Sequence, residues 1–201
     1  MSDVLADVSR ETTERLETFC HVLKKWNPRI NLVSKSSLDD LWNRHILDSI
    51  QVSQAMTNFE HWVDIGSGGG FPGLVVAILA AEGGNSRRVT LVESDQRKAA
   101  FLRTAARDCG VSVEVLAERI EAVDPFGADV LSARALADLT TLLSYTDRHL
   151  AQGGTALFPK GVSWQKEVED ARREWSFDLD PITSKTEAGA AILKIRSISR
   201  V

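Results

Sequence analysis

Val63-Asp64-Ile65-Gly66-Ser67-Gly68-Gly69-Gly70-Phe71-Pro72-Gly73 is the stretch on which the fold turns. A short apolar strand runs straight into five glycines within eight positions. Pro72 follows, and proline suits the first turn of a helix. Main chain without Cβ atoms turns tightly and lets a ligand touch it directly. Strand, bare loop and helix in that order form the crevice beyond the carboxyl ends of the strands in a doubly wound sheet, where ligands sit.

Outward from the loop the same rhythm continues. Residues 88–92 read as a second strand ending at Glu93. Asp95 opens a helix through Arg107, with Gly110 at its C-cap. Residues 111–116, 128–132 and 155–158 read as further strands, with a helix over 137–150 before Gly153-Gly154 turns the chain. Strands alternating with helices predict a parallel sheet covered on both faces. After a polar helix over 164–175, residues 177–182 and 191–198 read as an antiparallel pair at the sheet edge. The expectation is an α/β fold with a mostly parallel seven-stranded sheet over residues 59–201, preceded by a helical extension over 1–58. In the extension, Asp3 caps a helix carrying Val4, Val8, Leu16, Phe19, Cys20 and Leu23, and Asn27-Pro28 stops it. A second helix begins after Ser36-Ser37, with Leu38, Leu41, Trp42, His45, Ile46, Ser49 and Ile50 at helical spacing.

Two ligand classes compete for the loop. Gly68, Gly70 and Gly73 satisfy the dinucleotide spacing G-x-G-x-x-G, a weak match by itself. A pyrophosphate favours a positive helix end, against which the Asp64 carboxylate works. S-adenosylmethionine carries no phosphate but has a sulfonium and an ammonium group, so an acid there favours it. Glu93, at the end of the next strand, can accept hydrogen bonds from both ribose hydroxyls, but dinucleotide sites use an acid there too. Asp64 tips the balance.

The composition bounds the partners. Of 201 residues, 43% are apolar and 26% charged, which excludes collagen, a disulfide scaffold and a disordered tail. The formal charge is −4, so nucleic acid cannot be held by bulk charge. Local basic patches must hold it: Lys24, Lys25, Arg29 and Lys35; Lys194, Arg196 and Arg200; or Arg97, Lys98, Arg103 and Arg107, the last set reading more readily as a solvated face. Cys20 and Cys109 lack metal-ligand spacing and read as reduced thiols of a cytoplasmic protein; no metal is expected. The polar, acidic amino terminus has no signal-peptide core, and no apolar run reaches the length of a membrane span. A monomer is the default.

The blocks R-H-I-L-D-S (44–49), V-D-I-G-S-G-G-G-F-P-G (63–73), L-V-E-S-D-Q-R-K-A-A-F-L (91–102), E-R-I-E (118–121) and S-A-R-A (132–135) carry a likeness. Together they resemble the bacterial 16S ribosomal RNA guanine-N7 methyltransferases, also called glucose-inhibited division protein B. The resemblance runs in order from about Asn31 to Lys160. It implies a Rossmann-like S-adenosylmethionine-dependent methyltransferase fold, S-adenosyl-L-methionine as cofactor, and a guanine of 16S RNA, in the small subunit or a precursor, as acceptor. It carries cofactor contacts to Gly66, Phe71, Ile120, Glu121 and Arg134; Gly68 and Glu93 match the wider methyltransferase pattern. With the loop residues Asp64, Ser67 and Gly70 these complete the expected cofactor site. The P-K-G turn at Lys160 also looks family-like, and Arg44, His45, Arg134 and Lys160 are the candidates for the acceptor side.

The chemistry fits. Guanine N7 has an in-plane lone pair and no proton, so its methylation needs in-line approach, a dry site and orientation rather than a general base. Accordingly the chain shows no cytosine-C5 proline-cysteine motif and no Asn-Pro-Pro-Tyr/Phe signature. Arg134 or Lys160 can address O6 beside N7, and Arg134 can instead hold the cofactor or a phosphate. His45 and Asp48, one helical turn apart, can bond each other. Arg44, His45, Asp48 and Ser49 either wall the acceptor pocket or fix the extension onto the sheet. The alternatives are a methyltransferase for a small molecule or protein, an NAD-binding oxidoreductase, and a non-catalytic adenosine-ligand sensor.

Overall fold

The computed structural model describes residues 8–83 and 87–201. Seven strands form one sheet in the order β3-β2-β1-β4-β5-β7-β6. They are β1 (His61–Ile65), β2 (Arg88–Val92), β3 (Glu114–Leu116), β4 (Ala128–Ser132), β5 (Leu150–Lys160), β6 (Trp175–Thr183) and β7 (Ala191–Arg200). The first five run parallel; β7 pairs antiparallel with both β5 and β6, the expected edge pair. The helices are α1 (Arg10–Ile30), α2 (Lys35–Leu38), α3 (Asp48–Gln54), α4 (Gly73–Ala80), α5 (Gln96–Asp108), α6 (Leu139–His149) and α7 (Trp164–Ala171).

Successive strand side chains point to opposite faces, and the core divides accordingly. Trp62 and Val130 belong to one cluster, with Leu16, Phe19 and Leu23 of α1 and residues of α4 and α5. Val63, Ile65 and Leu131 belong to the other, beneath α6 and α7. Helix α1 is thus built into the core on the first face. Its Phe19 ring lies 5.1 Å from that of Phe71 in the glycine loop.

Four expectations need correction. Asn27-Pro28 does not end the first helix, which continues to Ile30 and closes at Asn31 with φ 50°. Pro28 lies so near the end that only one backbone bond is lost. The buried Asn27 side chain does different work: Oδ1 accepts from the N–H groups of Leu32 (2.8 Å) and Val33 (2.9 Å). The N-cap is Ser9, accepting from Thr12 N; the Asp3 cap and Val4 lie outside the described residues. The second helix is not continuous: after α2 the chain turns, then forms a π-helical segment, Trp42–Leu47, that passes into α3. Such bulges shift side chains around a helix and often mark functional sites. Here Ile46 and Leu47 stay in the core, while the His45 ring and the Arg44 carbonyl meet Arg134 of the loop after β4.

Gly153-Gly154 does not precede the fifth strand but lies within it. Leu150 pairs with Ala128 and Thr155 with Val130, so the extra residues form a bulge. Finally, Trp175 opens β6 rather than closing α7, because its ring fills the second core cluster. Helix α5 follows expectation: Asp95 accepts from Arg97 N (2.8 Å) and Lys98 N (3.3 Å), and Gly110 takes φ 66° past the end.

Candidate active site

The carboxyl ends of β1, β2 and β4 open onto two adjoining cavities. The smaller, about 400 Å³, lies in the size range of ligand pockets. It is lined by Gly66, Ser67, Gly68, Phe71, Glu93, Ile120, Glu121 and Arg134. Eight of the ten expected cofactor residues therefore meet in one place. Gly66 and Gly68 adopt φ 66° and 50°, which side chains rarely take. Glu93 Oε2 accepts from Gly68 N and Oε1 from Asp95 N, each at 2.8 Å. The carboxylate is held at the rim with further lone pairs for the hydroxyls of a ribose. Glu121 accepts from Tyr145 Oη at 2.6 Å; that bond lowers the Glu121 pKa and lifts the tyrosine to about 12.

Asp64 and Gly70 are the two exceptions. Asp64 is wholly buried behind the loop and does not line the cavity. Ser132 Oγ donates to its Oδ1 at 2.6 Å and in turn accepts from Trp62 Nε1 at 2.8 Å. Oδ2 has no hydrogen bond of ordinary geometry and packs against Gly73, the first residue of α4. A Cβ on Gly73 would lie 2.6 Å from it. Burial raises the Asp64 pKa to about 6 against the bond from Ser132. Its charge reaches the cavity only through the loop, and it sits at the positive end of α4 that a pyrophosphate would need. Gly70 lies beneath the loop, where a Cβ would meet Phe19 Cζ at 2.9 Å.

The larger cavity, about 870 Å³, is lined by Arg44, His45, Asp48, Arg134, Lys160, Glu167, Thr186 and Glu187, among others. All four acceptor-side candidates are here. The two cavities share the segment Arg134-Ala135-Leu136 as a common wall. Leu136 lies directly over Gly66: a Cβ there would come within 2.6 Å of Leu136 Cδ1.

His45 and Asp48 do not bond each other. Arg134 stands between them, with Nη2 on His45 Nδ1 and Nη1 3.3 Å from Asp48 Oδ2, while its guanidinium lies 5.2 Å over the Phe71 ring. His45 stacks on the same ring at 4.9 Å. Burial first, then the charges of Arg134 and Arg44, lower the His45 pKa to about 4. Lys160 is committed: Nζ donates to Ala137 O (2.9 Å) and Glu167 Oε2 (2.7 Å), holding the shared wall to the end of β5.

Sequence reasoning missed Leu32, Val33, Lys98, Leu136 and Tyr145 at the smaller cavity and Thr186 and Glu187 at the larger. Lys98 lies within the quoted block 91–102 but reads there as part of a solvated basic face; the others belong to no motif, and only their placement reveals them. Among the basic patches, Arg97 pairs with Asp95, Arg107 with Asp108, and Arg103 donates to Val115 O. Lys24, Lys25, Arg29 and Lys35 are exposed, and no ion pair engages them among the described residues. Among those residues no group of three or more His, Cys, Asp or Glu side chains is arranged to hold a metal ion, and no helix is long and apolar enough to cross a membrane.

A doubly wound sheet with a reversed seventh strand, a glycine cradle after β1 and an acid at the end of β2 defines the class of Rossmann-like S-adenosylmethionine-dependent methyltransferases. Solved structures agree on the fold. A ribosomal protein L11 methylase from Lactobacillus delbrueckii subsp. bulgaricus superposes with TM-score 0.60 at 18% identity, over 78% of each chain. A mutant of MtNAS in complex with S-adenosylmethionine superposes with TM-score 0.61 at 15% identity, over 92% of this chain and 72% of that one.

The chain belongs to the GidB family, rRNA small subunit methyltransferase G, whose pattern matches residues 12–191. It is 64% identical to the ribosomal RNA small subunit methyltransferase G of Ruegeria sp. (strain TM1040), over 97% of this chain and 95% of the relative. It is 47% identical to that of Gluconobacter oxydans, over 98% of this chain and 100% of the relative.

Proposed function

We propose that the protein transfers a methyl group from S-adenosylmethionine to N7 of a guanine in 16S ribosomal RNA, without a general base. The observation that carries this reading is the common wall: a donor on the glycine cradle and a base in the larger cavity meet across Arg134-Ala135-Leu136. The relatives named for small-subunit rRNA point to the acceptor, and the likeness of the motif blocks points to N7.

The residues present fit the donor: a bare loop for close approach and a carboxylate, Glu93, fixed at the rim for the ribose. When bound, the donor supplies an electrophilic methyl carbon on a positive sulfur. The chain orients and excludes water. Phe71 and Leu136 present apolar surface at the junction, and Arg134, fixed by Asp48, keeps the wall in place. Methylation at N7 leaves the purine positively charged. His45, held neutral, adds no charge against it. Residues 1–58 act as an extension that brings Arg44 and His45 to the acceptor cavity of the domain formed by 59–201. The protein works as a monomer on the small subunit or its precursor, in the cytoplasm.

Cleavage mapping of 7-methylguanine in 16S RNA tests this. One site is expected to be lost in cells lacking the protein and restored by adding the protein and donor to small subunits from those cells. Complete N7 methylation without the protein would overturn it.

A further inference from the structure

The larger cavity carries more charge than its reaction uses, and most of that charge is already paired. Asp48 is bound by Arg134 and by Thr186 Oγ1 (3.1 Å). Glu167 is bound by Lys160 Nζ and by Leu139 N. Asp40 accepts from Asn43 Nδ2 at 2.5 Å. Among the described residues lining this cavity, Glu187 is the acid whose carboxylate has neither a hydrogen bond nor an ion pair.

Its main chain, by contrast, is tightly held. Glu187 N donates to Ser184 Oγ at 3.1 Å, and Glu187 O accepts from Ala190 N at 3.2 Å. The neighbouring residues are tied to the other wall: Lys185 N donates to Gln51 Oε1 (3.0 Å), Gln51 Nε2 donates to Thr183 O (2.8 Å), and Thr186 bonds Asp48. The β6–β7 loop is thus held through its main chain, and the exposed Glu187, which lines the acceptor cavity, keeps its carboxylate uncommitted. Such preorganisation with a free polar group is what recognition requires.

We infer that Glu187 reads the Watson–Crick edge of the acceptor guanine, accepting hydrogen bonds from N1–H and the N2 amino group while N7, on the opposite side of the purine, faces the shared wall. This rests on the proposed function and deepens it. The chemistry is selective. Adenine presents an acceptor at N1 and no N2 amino group, so a carboxylate repels it. It is also differential: as positive charge builds on the purine, N1–H becomes more acidic and its bond to the carboxylate strengthens. Interactions that tighten towards the transition state raise kcat as well as affinity.

The test uses small subunits reconstituted from 16S RNA ligated to carry either guanosine or inosine, which lacks the N2 amino group, at the acceptor position. Methyl transfer is measured for the wild type, Glu187→Gln and Glu187→Ala. The wild type is expected to favour guanosine over inosine by about 10-fold, as one well-placed base contact does. Glu187→Ala is expected to lose about 10- to 100-fold in kcat/KM on guanosine, partly in kcat, and to bring the guanosine-to-inosine ratio close to one. Glu187→Gln keeps one acceptor oxygen and should fall between. Donor affinity, measured by calorimetry, should be unchanged in both variants. A variant that slows both acceptors equally, keeping the wild-type ratio, would overturn the inference while leaving the proposed function standing. A wild type inactive on the guanosine particle would overturn the proposed function and the inference with it.

Discussion

Arg134, eighty-nine residues downstream of His45, donates to the Nδ1 atom of its imidazole. An acceptor at Nδ1 fixes the neutral tautomer with its proton on Nε2. The same guanidinium reaches Asp48 Oδ2, so one side chain from the end of β4 ties down the π-helical turn of the extension. Lysine offers a point charge and cannot span both partners. Arg134→Lys is expected to destabilise the fold by about 2 kcal/mol through the poorly paired Asp48 and to weaken donor binding. Urea unfolding and calorimetric titration measure the two effects.

The neutrality of His45 gives a pH dependence. Its folded pKa, about 4, lies below the ordinary 6.5 because of burial and two neighbouring arginines. Below 6.5 the unfolded chain binds a proton that the folded site refuses. This contribution to stability is therefore intact above pH 6.5 and is lost as pH falls towards 4. The wild type should lose more stability than His45→Gln between pH 7.5 and 5, read by urea midpoints at each pH.

Asp64 shows the opposite sign. Its pKa is raised from 3.8 to about 6 by burial, so its contribution is greatest below pH 3.8 and declines as pH rises through 6. The stability of the wild type relative to Asp64→Asn should fall by about 2 kcal/mol between pH 4 and 6, at no more than 1.36 kcal/mol per pH unit, and level off above pH 7. A flat difference across that range would refute the raised pKa.

Gly66→Val places a branched side chain at φ 66° and a Cβ 2.6 Å from Leu136. The strain costs about 1–3 kcal/mol, less than the stability of a typical domain. The variant should keep a native circular dichroism spectrum. It should give no binding heat at donor concentrations that saturate the wild type.

Asn27→Ala removes the acceptor of two buried N–H groups, Leu32 and Val33, whose residues line the smaller cavity. A cost of about 2–4 kcal/mol is expected from leaving both unpaired. Faster amide exchange at residues 32 and 33, with weaker donor binding, identifies the mechanism.

Motif chemistry picks out residues that meet at one cavity because they follow strand ends, and strand ends are legible locally: Gly66, Ser67, Gly68 and Phe71 follow β1, Glu93 follows β2, Arg134 follows β4. Asp64 stays behind the cavity wall for an equally local reason. Alternation along β1 turns it towards the core face it shares with Trp62, and the carboxylate braces α4 rather than facing the ligand. The helix stop at Asn27-Pro28 failed because propensity is weak against the burial of a long apolar face, and because a proline near a helix end removes little.

By itself the sequence determined the parallel sheet, the glycine cradle and the family, since periodicity and motif spacing are properties of neighbouring residues. Tertiary structure alone decided that the four acceptor-side candidates share one cavity, and added Glu187 to them. Arg44 and His45, Arg134, Lys160 and Glu187 come from four separate segments, and only the packing of α1 and α3 against the sheet, with the edge hairpin folded beside them, brings those segments to one cavity. Contacts between residues so far apart leave no periodic trace in a single chain. They are fixed by which apolar faces bury against each other, and the polar groups at the rims are carried along.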